Sequence, residues 1–277
     1  MRIYAPRYLA GIAAAGLVAT AVFGAQPAQT AEVQFLGQAT LKITTENEQT
    51  IMVDPFVRKN PVTPDGAKEL SAHADVDLIL LTHGHFDHIA DTPPLAERTG
   101  AKVALNADMG NTFRTEGIIP GEQLIRFNKG GTVTPLEGVS VTMVPAEHSS
   151  NVMYAAGDSA KKHTYPGGEP AGYIIELPNG TTLYHAGDTA PFAEMRWIAE
   201  QHEPDVAFLP VGGRFTMGPD NGAAAVTELL GTDTVVPIHH SAFDMLPGTP
   251  EAFEKALDER GYDGEVVIME PGETREF

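Results

Sequence analysis

The chain has 277 residues, no cysteine, and a formal net charge of −19 from 18 basic and 37 acidic side chains. This acidity argues against a nucleic-acid surface, which needs clustered Lys and Arg, and against adhesion to anionic membranes. Without cysteine there are no disulfides and no thiolate ligands, so any metal must be held by nitrogen and oxygen atoms.

The N-terminal segment has the pattern of an export signal. Two arginines precede an uncharged, mainly apolar stretch at 9–25, and small residues follow. This order predicts a secretory signal over 1–31. An uncleaved membrane anchor is the alternative, because about 17 apolar residues is the lower limit for spanning and cleavage after Ala31 would leave Gln29 where a small residue is preferred. In both cases we expect the folded domain, 32–277, to be exported, either to the periplasm or as a secreted protein.

The stretch that follows is dominated by short β-type runs with two helix-like ones. In chain order we predict strands at 33–36, 40–44, 50–54 and 76–82, a helix at 92–100, a strand at 102–106 and a helix at 107–117. Both helices end at a glycine, the residue most often found just past a helix C-terminus.

A second series of strands and helices then begins. We predict strands at 123–127, 131–146, 171–177 and 181–188, a helix at 190–202, a strand at 206–211, a helix at 221–231, a strand at 234–240, a helix at 249–261 and a strand at 265–270. Two such series predict an α/β fold with two stacked sheets covered by helices on both outer faces. No Pro- or Ser-rich linker separates the series, so we expect a single domain.

The segment THGHFDH places four metal-binding side chains at the end of a predicted buried strand: His83, His85, Asp87 and His88. In an extended segment His83 and His85 point to the same side, because side chains alternate with period two. Asp87 and His88 follow where the chain turns, so this segment can supply two ligands to each of two adjacent metals. A mononuclear site or a structural histidine cluster are the alternatives, although buried imidazoles without a metal need other partners.

Three later residues offer further nitrogen and oxygen ligands. His148, Asp188 and His239 each follow an apolar run and lie at the end of a predicted strand. Each of them alone would more often cap a strand or satisfy a polar group. Together with the first four they form a set of seven candidate metal ligands.

These motifs, THGHFDH with EHS, HAGDT and PIHH, resemble the metallo-β-lactamase superfamily. The segments VDPF, GGEPAGY, YHAGDTAPFAEM and LPVGGRFTMGP narrow the resemblance to a branch of small, uncharacterised metal-dependent hydrolases. It covers roughly residues 32–277. It implies a four-layer αββα sandwich of two pseudo-symmetric halves, which agrees with the two series of predicted elements.

The resemblance also implies roles for individual residues. It assigns two groups of metal ligands bridged by Asp188, namely His83, His85 and His148 for one ion and Asp87, His88 and His239 for the other. Asp87 would also orient the nucleophile and so act in catalysis. His240 is the alternative to His239 as ligand, and we favour His239 because it follows Pro-Ile as in the resembling family.

We therefore predict a hydrolase with two divalent metal ions. Histidine-rich ligation favours zinc, and manganese or iron would fit the same ligands. A hydroxide bridging the metals would attack a small-molecule ester, lactone, amide or phosphoester. The alternatives are an iron-dependent oxidoreductase on the same fold and a non-catalytic metal- or ligand-binding module. The expected partner is a small-molecule substrate, with no nucleic acid and no membrane contact beyond an N-terminal anchor.

A long, polar, glycine-rich segment at 147–170 shows no strong periodicity and is predicted to be a loop. Loops of this length in compact domains are usually functional. Tyr154, His163 and Tyr165 within it are candidates for lining a substrate pocket. Arg214, in GGRFTMG, is a candidate to meet a substrate anion.

Five other residues are expected to have supporting or structural roles. Asp54, in VDPF, either begins a turn or hydrogen-bonds a ligand histidine. His185 is expected to be structural or to support a ligand through a hydrogen bond, and not to be a ligand itself. His73 and His202 are predicted at the surface, and Trp197 is predicted to pack its helix against a sheet.

Overall fold

The computed structural model describes residues 30–154 and 163–277. The predicted export signal lies outside this part of the chain except for Thr30 and Ala31, and its function stays a prediction. Ala31 is fully buried, and its N–H and C=O pair with the backbone of Phe277, so the folded domain includes Ala31. Within the described ranges no helix is both long enough and apolar enough to cross a membrane.

The first half of the chain forms six strands and four helices. In chain order these are β1 (Glu32–Gly37), β2 (Thr40–Thr44), β3 (Thr50–Val53), α1 (Asp65–Lys68), β4 (Leu78–Leu80), α2 (Phe86–Ile89), α3 (Thr92–Thr99), β5 (Lys102–Asn106), α4 (Ala107–Thr115) and β6 (Leu124–Phe127). The side chain of Asn106 caps α4 by accepting the N–H of Met109. Gly100 ends α3 in the left-handed conformation that the sequence indicated.

The described part of the second half contains ten strands and three helices. These are β7 (Thr132–Leu136), β8 (Val139–Pro145), β9 (Asn151–Tyr154), β10 (His163–Pro166), β11 (Ala171–Glu176), β12 (Thr182–His185), α5 (Met195–His202), β13 (Val206–Pro210), α6 (Pro219–Ala225), β14 (Thr234–Ile238), α7 (Pro250–Glu259), β15 (Glu265–Val266) and β16 (Thr274–Glu276). A π-helical turn, Val226–Leu230, extends α6 to Gly231.

Two seven-stranded sheets are stacked face to face. The first has the order β16-β1-β2-β3-β4-β5-β6 and the second β15-β14-β13-β12-β11-β8-β7. Strands β3 to β6 run parallel, as do β12 to β15, while the neighbours on the other side pair antiparallel. The C-terminal strand β16 crosses back to pair with β1, with Val33 opposite Arg275.

Alternation along the strands assigns side chains to the layers. In β4, Leu78 and Leu80 belong to the central core between the sheets, whereas Ile79 packs in the outer cluster with helix residues such as Leu95. In β13, Phe208 faces the central core and its neighbours face the helices on the other side. Alternate side chains of each strand thus point to opposite faces of the sheet, and both faces are buried. A sheet that lies between another sheet and a layer of helices requires this pattern. The layers are therefore helix, sheet, sheet, helix.

The predicted loop at 147–170 is wrong in part. Residues 151–154 and 163–166 form β9 and β10, which pair antiparallel, with Val152 opposite Tyr165. Val152 is fully buried in the outer cluster of the first sheet, and Tyr154 packs against the same cluster. Each strand has only four residues, too few for its alternation to stand out in the sequence. The predicted loop residues between them lie outside the described part of the chain.

Two predicted boundaries also differ. The helix expected from residue 190 begins at Met195, because Ala190 is held in an extended bridge to Glu147 and precedes a proline, which disfavours helical backbone there. The strand expected over 265–270 is only β15, two residues long. Its continuation contributes Val267 and Met269 to the central core without regular pairing.

The predictions for two side chains are wrong. His73 was expected at the surface but is buried, and its Nε2 lies 2.8 Å from the Ala67 carbonyl oxygen. Burial lowers the pKa of His73, so the neutral ring can donate this hydrogen bond. Trp197 was expected to pack against a sheet but is 53% exposed, with its ring edge-on to the half-buried His202. The buried side of α5 is formed instead by Met195 and Ile198.

Candidate metal centre

The candidate ligands come together because they follow strands that end at one edge of the sandwich. The segment from His83 follows β4, His148 follows β8, Asp188 follows β12 and His239 follows β14. Strands β12 and β14 are parallel neighbours of β13, so their carboxyl ends share an edge. Ligand sites typically form at such edges, where loops leave the strands.

The segment 83–88 changes from extended to helical within the cluster. His85 has extended backbone (φ −68°, ψ 152°) and is the N-cap residue of α2. The rings of His83 and His85 lie 4.5 Å apart between centroids. The first turn of α2 places the ring of His88 only 4.1 Å from that of His83, and there it also meets Asp87 and His239. One short segment thus supplies side chains to two neighbouring points, as the sequence predicted.

The first donor group consists of His83, His85, His148 and Asp188, with one nitrogen or oxygen atom from each lying within 4.8 Å of the others. His83 Nε2 is 2.9 Å and His148 Nε2 is 3.3 Å from His85 Nδ1. Burial lowers the pKa of all three imidazoles, and the neighbouring rings disfavour a second charge. Three neutral imidazole lone pairs and a carboxylate facing one point form a donor set suited to a divalent cation.

The second donor group consists of Asp87, His88 and His239, again within 4.8 Å of one another. His239 Nε2 lies 3.5 Å from Asp87 Oδ2. Burial opposes a charge on Asp87, but the imidazoles of His88 and His239 overcome this and lower its pKa to about 2. Burial also opposes protonation of His239, yet the carboxylate of Asp188 raises the pKa of His239 to about 9.

Asp188 is shared by the two donor groups. Its Oδ2 lies 3.1 Å from His239 Nε2 and 3.5 Å from His148 Nε2, and its Oδ1 lies 3.4 Å from His88 Nε2. Although buried and 3.4 Å apart, Asp188 Oδ1 and His88 Nε2 form no well-aligned hydrogen bond with each other or with another group in the described ranges. Buried polar atoms normally have a partner, and cations between the donor groups would supply one. The residues present therefore fit the metal centre that the motifs imply.

Asp54 supports the second donor group from behind. Its Oδ2 lies 2.7 Å from His88 Nδ1, and its Oδ1 accepts the N–H of Thr82. Thr82 Oγ1 also donates to Asp54 and lies 3.0 Å from His83 Nδ1. The sequence left two interpretations for Asp54, a turn-initiating residue or a hydrogen-bond partner of a ligand histidine. The contact with His88 is the second of these. The carboxylate sets the tautomer of His88 so that Nε2 faces the donor group.

Replacing Asp54 by Asn is expected to weaken metal binding about 10- to 100-fold, since the amide cannot hold His88 as a charged acceptor does. Asn tolerates the positive φ of this position (48°), so the backbone should be unchanged. Chelator competition on purified protein measures the change. Asp91→Asn is the control, because Asp91 is an equally buried carboxylate that pairs with Arg58 away from both donor groups. An affinity equal to that of the Asp91 variant would contradict the role of Asp54.

Metal uptake should also release protons. Burial opposes protonation of His88, but the surrounding carboxylates raise the pKa of His88 well above its ordinary value. The pKa of His239 rises in the same way to about 9. Metal-free protein therefore carries protons on both imidazoles near neutral pH, and a cation must displace them. We therefore expect the affinity for metal to keep rising with pH up to about 9. At a site built from imidazoles of ordinary pKa, the affinity would level off above about pH 6.5. Titration calorimetry in two buffers of different ionisation enthalpy measures the protons, and a count of zero near pH 7 would contradict this.

Gln38 completes the centre and was missed in the sequence. Its Nε2 lies 2.9 Å from Asp87 Oδ2 and 2.8 Å from His239 Nε2. The backbone carbonyl of Gln38 also accepts a hydrogen bond from the backbone N–H of His239. Gln38 sits in the turn between β1 and β2 with a φ of 55°. No local pattern marks a turn glutamine as part of a site; only the closure of the two sheets brings it there.

The other histidines lie outside the donor groups. His185 bonds to the Ala39 carbonyl through Nε2 and accepts the Gly187 N–H, which is the structural role predicted for it. The side chain of His240 is 2.9 Å from Ser241 Oγ and packs against Phe35. The backbone turns at His239 (φ 55°), so consecutive side chains diverge and His239, not His240, faces the centre.

The predicted pocket residues do not line the cavity above the donor groups. Tyr154 and Tyr165 pack on the outer cluster of the first sheet, and His163 is exposed on β10. Arg214 is exposed, with its guanidinium 5.3 Å from the centre of the Phe215 ring. The cavity, of about 450 Å³, is instead lined by Gln38, His85, Phe86, Asp87, His148, Ser149, Asp188, Phe215, His239, Phe243, Met245 and Leu246.

Comparison with known proteins places the chain in a family. A family model described as a β-lactamase superfamily domain matches residues 49–240. The chain belongs to this superfamily. It is 45% identical over 254 residues to a UPF0173 metal-dependent hydrolase of Polaromonas sp., covering 91% of this chain and 92% of that protein. It is 44% identical over 241 residues to another of Rubrobacter xylanophilus, covering 87% and 94%.

A solved structure supports the same assignment. Igni18, described as a metallo hydrolase from the archaeon Ignicoccus hospitalis, superposes with a TM-score of 0.75 at 32% identity, covering 90% of this chain and 98% of that one. The predicted metallo-β-lactamase fold and the predicted enzyme class, a metal-dependent hydrolase of this superfamily, are therefore confirmed. The seven candidate ligands all lie within the matched residues 49–240.

Proposed function

We propose that this superfamily member hydrolyses a small-molecule ester, lactone, amide or phosphoester with a water activated by two divalent cations, one at each donor group. The observation that carries the proposal is the position of Asp188, whose two oxygens face both donor groups within 3.1 to 3.5 Å of His88, His148 and His239. A shared carboxylate between two sets of imidazoles favours two adjacent ions over one.

Zinc is the ion we propose, because imidazole nitrogen dominates both donor groups and thiolate is absent from the chain. When bound, the cations would lower the pKa of a water between them towards neutrality and polarise the oxygen of the scissile bond. This chemistry needs no serine or cysteine nucleophile.

The protein side chains have separate tasks around that water. Asp87 and Asp188 both line the cavity, and Asp87, with an exposed fraction of 13% against 3%, is the more accessible of the two carboxylates. With a pKa near 2 it stays ionised and can orient the attacking water while binding metal. Gln38 holds Asp87 Oδ2 in place at 2.9 Å. We propose Asp87 as the catalytic residue and Gln38 as its positioning residue.

Turnover of lactones, esters, β-lactams, phosphomonoesters and phosphodiesters by the purified protein tests this function. Hydrolysis of one class that is lost on chelation and restored by added Zn²⁺ would support it, provided that a quantitative metal analysis finds two ions per chain. A protein that carries both ions and hydrolyses none of these classes would favour a binding role. Oxygen uptake by an iron-loaded protein would favour the oxidoreductase alternative.

A further inference from the structure

The cavity above the donor groups has an apolar wall. Phe86, Phe215, Phe243, Met245 and Leu246 form it and line the same cavity as the candidate ligands. Phe86, Phe215 and Met245 are about half exposed. Single exposed apolar side chains are common, but several gathered around one cavity usually mark a binding surface.

Exposed apolar side chains are concentrated around this cavity and around a neighbouring one of about 410 Å³, which Phe86 and Met153 line. Five large hydrophobic side chains in the described ranges are exposed, and three of them line this wall; the others are Met153 and Trp197. The wall is also ordered by ring packing, since Phe86 lies edge-on to Phe243 at 6.0 Å and Phe243 stacks on the buried Phe56 at 6.3 Å. Phe86 and Phe243 are therefore part of the packed fold.

The polar lining offers little to an anionic substrate. Apart from the candidate metal ligands it contains Gln38, already bonded to Asp87, and Ser149; Lys and Arg are absent from the described lining. Arg214 is the cation nearest in sequence, but it stacks on Phe215 and does not line the cavity. A phosphate ester would place its remaining oxygens against an apolar wall, which is costly without donors.

From the wall and its lack of Lys and Arg side chains we infer that the substrate is an uncharged carbonyl compound with an apolar chain or ring, such as a hydrophobic lactone or ester. Its carbonyl would sit at the donor groups and its apolar part would lie against Phe86, Phe215 and Phe243. This inference rests on the proposed function. In the reaction the water oxygen bonds to the carbonyl carbon, the acyl C–O bond breaks, and a water proton passes to the departing oxygen.

Methyl ketones whose alkyl chains range from ethyl to octyl test the cavity without turnover, because they bind as carbonyl compounds but cannot be hydrolysed. On the metal-loaded protein we expect calorimetric affinity to rise about three- to fourfold with each added methylene group until the cavity is full. Alkyl phosphates of the same lengths should bind equally well to the wild-type protein and to Arg214→Gln, because Arg214 does not line the cavity. γ-Lactones with matching side chains should show the same trend in kcat/KM.

Phe215→Ala and Trp197→Ala form a matched pair, since the two rings are 52% and 53% exposed and only Phe215 lines the cavity. Phe215→Ala should weaken the longest ketone about tenfold, and Trp197→Ala should leave the series unchanged. Phe243→Leu, which keeps an apolar side chain in the packed wall, should reduce the chain-length effect without unfolding the protein.

Ketone affinities independent of chain length would overturn the inference. Alkyl phosphate binding that is lost in Arg214→Gln would also overturn it and assign the substrate anion to Arg214. Ketones that bind with the expected chain-length effect while no lactone or ester is hydrolysed would support the apolar cavity and contradict the proposed hydrolysis, so the two failures are distinguishable.

Discussion

Asp188→Asn is expected to remove most of the bound metal and to reduce hydrolysis to background. The substitution keeps the shape of the side chain but removes the charge that both donor groups share. Losing a residue that supports a ligand weakens metal binding about 10- to 100-fold, so losing a shared ligand should exceed that range. We expect both ions to be affected, because Asp188 approaches His148 of one group and His239 of the other.

The measurement combines metal content after dialysis with turnover of whichever substrate class the wild-type protein hydrolyses. Circular dichroism checks that the variant is folded. Asp91→Asn again serves as the control, since Asp91 and Asp188 are buried to a similar extent (2% and 3% exposed). A variant that retains two ions per chain would show that Asp188 is not shared between them.

Gly187→Ala is expected to destabilise the fold by about 2 to 5 kcal/mol and to lower activity as well. Gly187 has a φ of 64°, where an L side chain is strained by about 1 to 2 kcal/mol. A Cβ there would also lie 2.6 Å from the Ala171 carbonyl oxygen and 2.9 Å from Thr82 Cβ. Relieving that overlap costs about 1 to 3 kcal/mol more and must move Asp188 or the strand end that carries His83.

Gly180→Ala separates the cost of backbone strain from the cost of steric overlap. Gly180 has a φ of 92° in the turn between β11 and β12, and a Cβ there would meet nothing within 4 Å. It should therefore show only the backbone strain, about 1 to 2 kcal/mol, with activity unchanged. Urea unfolding of the metal-free proteins compares the variants. Equal destabilisation by both would mean that the close approach at Gly187 has no cost.

Much of the architecture was readable from local pattern. Period-two runs with both faces apolar predicted the strands that lie between the two layers, such as β4 and β13, and glycines predicted the ends of α3 and of the turn after α6. The tertiary structure corrected what depended on neighbours. Part of the predicted loop forms β9 and β10, which pair with each other. The bridge at Ala190 makes α5 begin later than predicted. His73 is buried and Trp197 exposed, the opposite of what the sequence predicted for each.

The sequence by itself determined the chemistry of the candidate centre, because imidazole and carboxylate groups at strand ends are recognisable whatever surrounds them. It could not determine which way His239 and His240 diverge, since that follows from a positive φ imposed where the chain passes Gln38. Gln38, Asp54 and the apolar wall were decided only by the tertiary structure. They come from separate turns and loops that meet when the two sheets stack, and long-range packing of this kind leaves no periodic trace in the segments it joins.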